Sequence, residues 1–148
     1  MILKKENILP WIPVVLWMIL IFYMSHQPAL VSDGLSTGIT QKLMTFIEKV
    51  FSNSELNMDR VNHYVRKNAH FMEYLILGVL AINALRKSGM TGRKGITVSL
   101  LICILYASSD EFHQLFVQGR AGRVTDVLID SSGALTGILL YSLKNFIP

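Results

Sequence analysis

The stretch VTDVLIDSSGALTGILLYSL, residues 124–143, decides the fold of this chain. It is long and apolar enough to cross a bilayer core, which needs about 20 helical residues, yet it carries Asp126 and Asp130. A charged side chain in hydrocarbon costs roughly 2.5–3.5 kcal/mol on insertion scales. Such residues therefore face the interior of a helix bundle and mark a functional site by default. The stretch predicts a membrane helix with a polar inward face.

Helical geometry places both acids of this stretch on one face, together with two glycines. At about 100° per residue, Asp130 lies about 40° from Asp126, and Gly133 and Gly137 lie about 20° to either side. Small residues at this spacing let membrane helices pack closely. We therefore predict that the acidic face packs against another helix. Two simpler explanations stay open, an N-cap role for Asp126 and a structural pair of Asp130 with an Arg or a His.

Three further apolar runs complete a predicted four-helix bundle. They cover residues 8–24, 69–85 and 96–110; the first two are near the lower limit for a span, about 17 residues. The third is too short alone, so we expect its helix to continue through residues 110–114. The chain is 51% apolar and 16% charged, whereas a soluble domain is about 25% charged. We predict an all-α integral membrane protein with one domain over residues 1–148.

The longest segment outside the runs, residues 25–68, is predicted to be an outer loop that carries a surface amphipathic helix. Such a helix either lies flat on the membrane over the bundle or is a plain connector, and the sequence leaves both open. Its apolar residues recur at helical spacing, at Leu35, Ile39, Leu43, Phe46, Ile47 and Val50.

The basic residues predict the orientation of the chain. Lys and Arg are equally numerous on the two sides, but those of residues 25–68 are mixed with acids, whereas those of residues 86–94 are not. Because basic residues favour the cytoplasmic side of short loops, we predict that both termini are cytoplasmic. The net charge of +4 then reflects orientation, and the absence of a basic motif interleaved with aromatic residues predicts no nucleic-acid partner. The lone Cys103 gives neither a disulfide nor a cysteine metal site.

Polar residues of the second and third helices form two further stripes, provided that the second begins before its apolar run and the third continues beyond Ser109. Both stripes lie at the same membrane end as Asp126, which independent anchoring residues would not require. Two simpler explanations stay open: an internal helix pair of His70 with Glu73, and anchoring of Arg66 and Lys67 at the lipid headgroups. The stripes are Arg66, His70 and Glu73 in the second helix, and Tyr106, Asp110, His113 and Gln114 in the third.

A glycine-rich basic segment, residues 119–123, immediately precedes the fourth helix. Its Arg120 and Arg123 suit bidentate binding of a phosphate or a carboxylate. The glycines let backbone N–H groups approach an anion, and the helix N-terminus adds its dipole. Acids, histidines and arginines are therefore predicted to converge on one polar pocket facing outward.

Several of these segments, taken together and in this order, resemble the VanZ-like membrane proteins. The resemblance implies a small bacterial protein of the cytoplasmic membrane, in a family named for a member associated with teicoplanin resistance, and it implies no particular reaction. The chain departs from the family by Gln118, where Pro is frequent. The family has Asp or Asn at the position of Asp130, which implies an orienting role there. The segments are 25–27 (SHQ), 66–74 (RKNAHFMEY), 109–114 (SDEFHQ) and 119–120 (GR), followed by Asp126, Asp130, Gly133 and Gly137.

The pattern favours an enzyme that acts on a membrane lipid with a phosphate or pyrophosphate headgroup. A His near neutrality would be nucleophile or general acid/base, an acid would orient it, and cations would hold the oxyanions. The predicted catalytic residues are His70, Glu73, Asp110, His113 and Asp126. The predicted substrate-binding residues are Arg66, Arg120, Arg123, Gln114, Asp130, Ser25 and Gln27.

Three alternatives compete with an enzyme of this kind. A noncatalytic protein could bind a lipid or a glycopeptide with the same arginines, and a transporter would use the same polar interior. A divalent metal, Zn²⁺, Mn²⁺ or Mg²⁺, is a further alternative, although the spacing matches no known metal motif and the cofactor stays unidentified. The ligands for it would be drawn from His70, Glu73, Asp110, Glu111, His113 and Asp126.

Overall fold

The described part of the protein consists of helices joined by short turns and one longer segment. The first long helix, α1 (Ile12–Ser25), follows a single 3-10 turn, Leu9–Trp11, and the others are α2 (Met58–Lys87), α3 (Gly92–Gln114) and α4 (Val124–Lys144). No strand occurs among the residues that the structure describes, and the predicted all-α class is confirmed. The computed structural model describes residues 8–29, 31, 32, 34, 37, 38, 40–42, 45 and 58–144.

Within the residues that the structure describes, three helices are long and apolar enough to cross a membrane, namely Arg60–Lys87, Gly92–Gln114 and Val124–Lys144. The predicted first span corresponds to the helical stretch Leu9–Ser25, which is also apolar but is shorter than these three helices. The α3 helix continues to Gln114 as expected.

The α2 helix begins at Met58, well before the predicted start of the second span at residue 69. A periodic pattern of apolar residues identifies only the part of a helix that is buried or lies in lipid, so the polar start of α2 was not predicted. The first turns of α2 carry exposed polar side chains, among them Arg66 and Asn68, and such residues continue a helix without marking it as apolar. This extension places Arg66 on the same helix as His70 and Glu73, as the predicted stripe requires.

Glycines let α2 and α4 pack against each other backbone to backbone. A Cβ atom added at Gly133 would lie against the carbonyl oxygen of Phe71, and one at Gly137 against that of Leu75, both closer than van der Waals contact allows. Gly78 of α2 meets the carbonyl of Ala134 in the same way. The predicted packing of the acidic face of α4 is confirmed. Gly133 meets Phe71 and Gly137 meets Leu75, so the residue numbers of the contacts increase in the same direction along both helices. The two helices therefore run parallel.

Aromatic side chains attach α1 to this pair and to α3. Trp17 Nε1 donates to the Glu73 carbonyl oxygen at 2.9 Å, and the Tyr106 hydroxyl donates to that of Met18 at 2.5 Å. The first turn of the described chain meets the end of α2, where Trp11 Nε1 donates to Ser88 Oγ at 3.2 Å. We call this the far end, where α2 and α4 end and α3 begins. The opposite end holds the last turns of α1 and α3 and the first turn of α4. We call it the cleft end, after the cleft described below.

The predicted outer-loop helix is described only in part. Ala29 and the described positions between 31 and 45 are helical, and the buried Thr40 donates from Oγ1 to Asn62 Oδ1 at 3.3 Å. This contact fixes the segment against the start of α2. The apolar positions on which the amphipathic prediction depends, 35, 39, 43, 46, 47 and 50, lie outside the described residues.

Candidate functional site

A cleft of about 110 Å³ opens at the cleft end. It lies between the start of α4, the N-terminal half of α2 and the segment that joins α3 to α4. Six of the predicted site residues reach it from three helices and the segment that joins α3 to α4: Arg66, His70, Gln114, Arg120, Arg123 and Asp126. The cleft is also lined by Ala29, Ser32, His63, Lys67, Gly119 and Ala121.

Basic side chains outnumber acidic ones in this cleft. Among the described residues that line it, four are Lys or Arg, namely Arg66, Lys67, Arg120 and Arg123, and one is an acid, Asp126. Lys67 Nζ forms an ion pair with Asp126 Oδ1. Local charge therefore favours an anionic ligand over a cationic one.

Asp126 lies in the first turn of α4, which begins at Val124. The N-cap explanation for this acid is therefore wrong, because a cap precedes the helix. Its Oδ1 accepts instead from Lys67 and from Thr125 Oγ1, the latter at 3.2 Å. The carboxylate thus joins α4 to α2 across the cleft, a partner that spacing within α4 gives no means of finding.

Arg120 holds the end of α1 as well as lining the cleft. Its Nε donates to the Gln27 carbonyl oxygen at 2.9 Å, and its Nη2 donates to that of Met24 at 3.2 Å. A cation at a helix C-terminus satisfies carbonyl groups that have no partner within the helix. Gln27 therefore meets Arg120 through its backbone, since its own side chain donates to the Tyr23 carbonyl at 3.4 Å.

The segment between α3 and α4 is fixed by the last turn of α3. Glu111 Oε2 accepts from the backbone N–H of Arg123 at 2.8 Å. Gln114 Nε2 donates to Asp110 Oδ2 at 3.3 Å and to Glu111 Oε1 at 3.4 Å. Gly122 packs so closely on the Glu111 carbonyl that a side chain there would collide with it. The cleft wall is thereby supported by three residues of the last turns of α3, namely Asp110, Glu111 and Gln114. Of these, Gln114 lines the cleft and the two acids do not.

His70 lies in the cleft wall beside a carboxylate on its own helix. The distance from its Nδ1 to Glu73 Oε2 is 3.7 Å, longer than a hydrogen bond. Both side chains are largely buried, and Nδ1 has no hydrogen-bond partner within the described part of the chain. Glu73 itself does not line the cleft. A histidine beside a carboxylate is the pair that acid–base catalysis uses, with the carboxylate orienting the ring. Here the two side chains are too far apart for the hydrogen bond that would orient His70.

His113 lies elsewhere, although it was predicted to share the pocket. Its Nε2 is 3.1 Å from His26 Nδ1, and the Phe22 ring lies 4.6 Å from its own ring. The ring centres of the two histidines are 5.3 Å apart with an angle of 22° between planes, as expected when one ring N–H points at the other ring nitrogen. The pair joins α3 to the end of α1 and is absent from the cleft lining.

A buried polar group lies beneath the cleft. Asp130 is fully buried, and Ser25 and Asp110 are each 2% exposed. Neither carboxylate oxygen of Asp130 has a hydrogen-bond partner among the described residues, and the Tyr74 hydroxyl has none there either. The Ser25 side chain interacts with the Asp110 carboxyl group. The pairing of Asp130 with an Arg or a His is therefore not found in that part of the chain. Its carboxyl group interacts electrostatically with Glu111 and Asp110.

Three basic residues of this region went unpredicted as parts of the site. His63 precedes the predicted second span by two turns, and Lys67 was interpreted only as a headgroup anchor. His26 belongs to the 25–27 segment and was given no role of its own. Helical phase carries a signal for Lys67 and His63, since they lie four residues apart and Lys67 is three residues before His70.

A metal centre finds no support in the part of the chain that the structure covers. No group of three or more His, Cys, Asp or Glu side chains there is arranged to hold a metal ion. The residues predicted as alternative ligands do not all meet, because Glu73 and Asp110 do not line the cleft and His113 lies beside His26.

The comparisons agree with this architecture. The sequence profile of the VanZ/LLP1 family matches residues 10–145, which include all four long helices. No curated protein and no solved structure matches the chain. Since the matched region covers nearly the whole chain and its helices are of membrane-spanning character, the protein is a membrane protein that belongs to the VanZ/LLP1 family.

Proposed function

We propose that the cleft binds the phosphate-bearing headgroup of an anionic membrane lipid and acts on it. The observation that carries the proposal is the excess of basic side chains among the described residues of the cleft, where Arg66, Lys67, Arg120 and Arg123 line it together with Asp126. The cleft lies at one end of the helices, where lipid headgroups are found. We further propose that this end faces outward from the bacterial cytoplasmic membrane and that both termini are cytoplasmic.

Arg123 is the cation best placed for direct contact with a phosphate group. Its side chain is exposed and lines the cleft, while its backbone N–H is held by Glu111. The backbone bond fixes where the side chain starts and leaves the guanidinium to the ligand. A planar guanidinium can bind two phosphate oxygens at once. The first turn of α4 begins at the next residue and adds its positive dipole end.

His70 is the candidate acid–base or nucleophilic residue, since it lines the cleft and His113 does not. As a nucleophile, its ring nitrogen would form a P–N bond while the P–O bond to the leaving group breaks, and water would later hydrolyse the phosphohistidine. As a base, it would take a proton from the water that attacks phosphorus. Glu73, 3.7 Å away, would orient the ring once binding shortens that distance, as catalytic hydrogen bonds often tighten on binding.

Binding without turnover is the second candidate, and the ion pair of Lys67 with Asp126 favours it. The pair engages the carboxylate that an enzymatic site would otherwise have available for acid–base work. It also lowers the net positive charge of the cleft. A phosphate that competes for Lys67 would release Asp126, so the pair fits a site that exchanges an internal anion for an external one.

The test measures turnover and binding separately in purified protein reconstituted in nanodiscs. A panel of lipid phosphomonoesters, pyrophosphates and phosphodiesters is incubated with it, and products are identified by mass spectrometry. His70→Ala should abolish turnover and leave binding within about tenfold, or ~1.4 kcal/mol. His113→Ala is the matched control, a histidine outside the cleft, and should retain turnover. Arg123→Ala should weaken binding by about tenfold or more.

Binding by the wild-type protein with no product from any headgroup would replace the enzymatic proposal with the noncatalytic one. Equal loss of turnover in His70→Ala and His113→Ala would remove the assignment of His70. Failure of every anionic lipid to bind better than a neutral lipid would remove both.

The orientation is tested by labelling single cysteines in a Cys103→Ser background in intact cells. Gln118→Cys, in the segment before α4, should react with a membrane-impermeant maleimide, whereas Lys94→Cys, at the start of α3, should react only after permeabilisation. Both positions are exposed. The opposite pattern would invert the proposed orientation.

A further inference from the structure

At the far end, α2 and α4 leave a groove between them. It has a volume of about 470 Å³ and is lined by Val79, Leu140, Tyr141 and Lys144. Leu140 is 56% exposed. Lys144 lies one turn beyond Leu140 on the same face of α4. The groove is therefore apolar toward the middle of the bundle and basic where the helix ends.

A tyrosine places a second cation at the basic end of this groove. The Arg86 guanidinium carbon lies 5.7 Å from the centre of the Tyr141 ring. The Tyr141 hydroxyl donates to Asn83 Oδ1 at 2.7 Å. This hydrogen bond fixes the ring between α2 and α4. Arg86 and Lys144 consequently flank one rigid aromatic side chain.

No acidic residue is available nearby in sequence to neutralise these cations. Residues 74–109 and 131–148 contain neither Asp nor Glu. The far end also carries Lys87, Arg93 and Lys94. An apolar channel that leads to a basic end is complementary to an amphiphile with an anionic headgroup.

We propose that this groove binds an anionic phospholipid. One acyl chain lies along Val79 and Leu140, and the phosphate lies between Lys144 and Arg86. The bound lipid contacts both helices of the parallel pair and stabilises their ends against separation. This site is at the opposite end of the bundle from the cleft, and the inference does not rest on the function proposed there.

The probe is phosphatidylglycerol, compared with phosphatidylcholine of the same acyl chains, added to the purified full-length protein in detergent. Native mass spectrometry measures retained lipid, and a thermal unfolding scan measures the rise in Tm. We expect preferential retention of phosphatidylglycerol and a Tm rise that phosphatidylcholine does not give. Lys144→Ala and Arg86→Gln should each weaken binding by about fivefold.

Lys94→Ala is the matched control, because it removes one positive charge at the same end but outside the groove. It should bind as the wild-type protein does. Equal weakening by Lys94→Ala would show diffuse surface attraction and overturn the site, as would equal retention of phosphatidylcholine. Leu140→Trp fills the groove and keeps every charge, so it should lower retention even if a charge variant fails to fold. Unchanged retention in a folded Leu140→Trp protein would also overturn the proposal.

Discussion

The two ends of the α2–α4 pair are built from different chemistry. At the cleft end, Lys67 binds Asp126 and the buried Asp130 lies on the same face. Toward the far end the contact is made by glycines against backbone carbonyls and by one neutral hydrogen bond, from Tyr141 to Asn83. The glycine contacts leave no room for polar groups, whereas the cleft end concentrates them. The difference indicates that close packing holds the helices together and leaves the charged end available for a ligand.

Gly137→Leu should have the largest effect, because the new side chain meets the Leu75 carbonyl oxygen and Val79. Since neither backbone can yield without separating the helices, we expect a loss of at least about 3 kcal/mol and a failure to purify as a monodisperse species. The measurement is the Tm in detergent together with size-exclusion behaviour. Ser132→Leu is the control, which introduces the same side chain at an exposed position of α4. A Tm equal to that of the control would contradict the role given to the glycine contact.

The ion pair of the cleft end should contribute less. In a double-mutant cycle of Lys67→Met and Asp126→Asn, we expect a coupling free energy of about 1–2 kcal/mol, because the pair is partly exposed, with side-chain exposures of 18% and 17%. The free energies come from unfolding of the two single variants and the double variant. Strictly additive losses would show that the two groups are solvated independently, and would weaken the contrast between the ends.

Asp130→Asn should have the smallest effect. The carboxyl group is fully buried, and its oxygens have no hydrogen-bond partner in the described structure. A buried unpaired charge is costly, so a neutral amide of the same shape should keep the Tm or raise it slightly. Asp126→Asn is the comparison, and it should lower the Tm because it loses the bond to Lys67. A larger loss for Asp130→Asn than for Asp126→Asn would indicate that Asp130 is ionised and has a partner.

Much of the helical architecture follows from local sequence. Apolar runs and helical phase predicted α4, its packing face at Gly133 and Gly137, and the continuation of α3 to Gln114. They also predicted that polar residues of three segments gather at one end. These features depend on rise and angle per residue, which are the same in every α-helix. The start of α2 was missed because its first turns are polar.

Only the tertiary structure decided which side chains meet. Phase along one helix fixes the direction of a side chain relative to its own axis, but it does not fix which neighbour packs there or how α1 approaches. The position of α1 gives His113 a partner in His26 and gives Arg120 two carbonyl oxygens. That leaves His70 as the cleft histidine among those predicted. These contacts join residues distant in the chain, so the sequence determined the helices and their polar end, and packing determined the site.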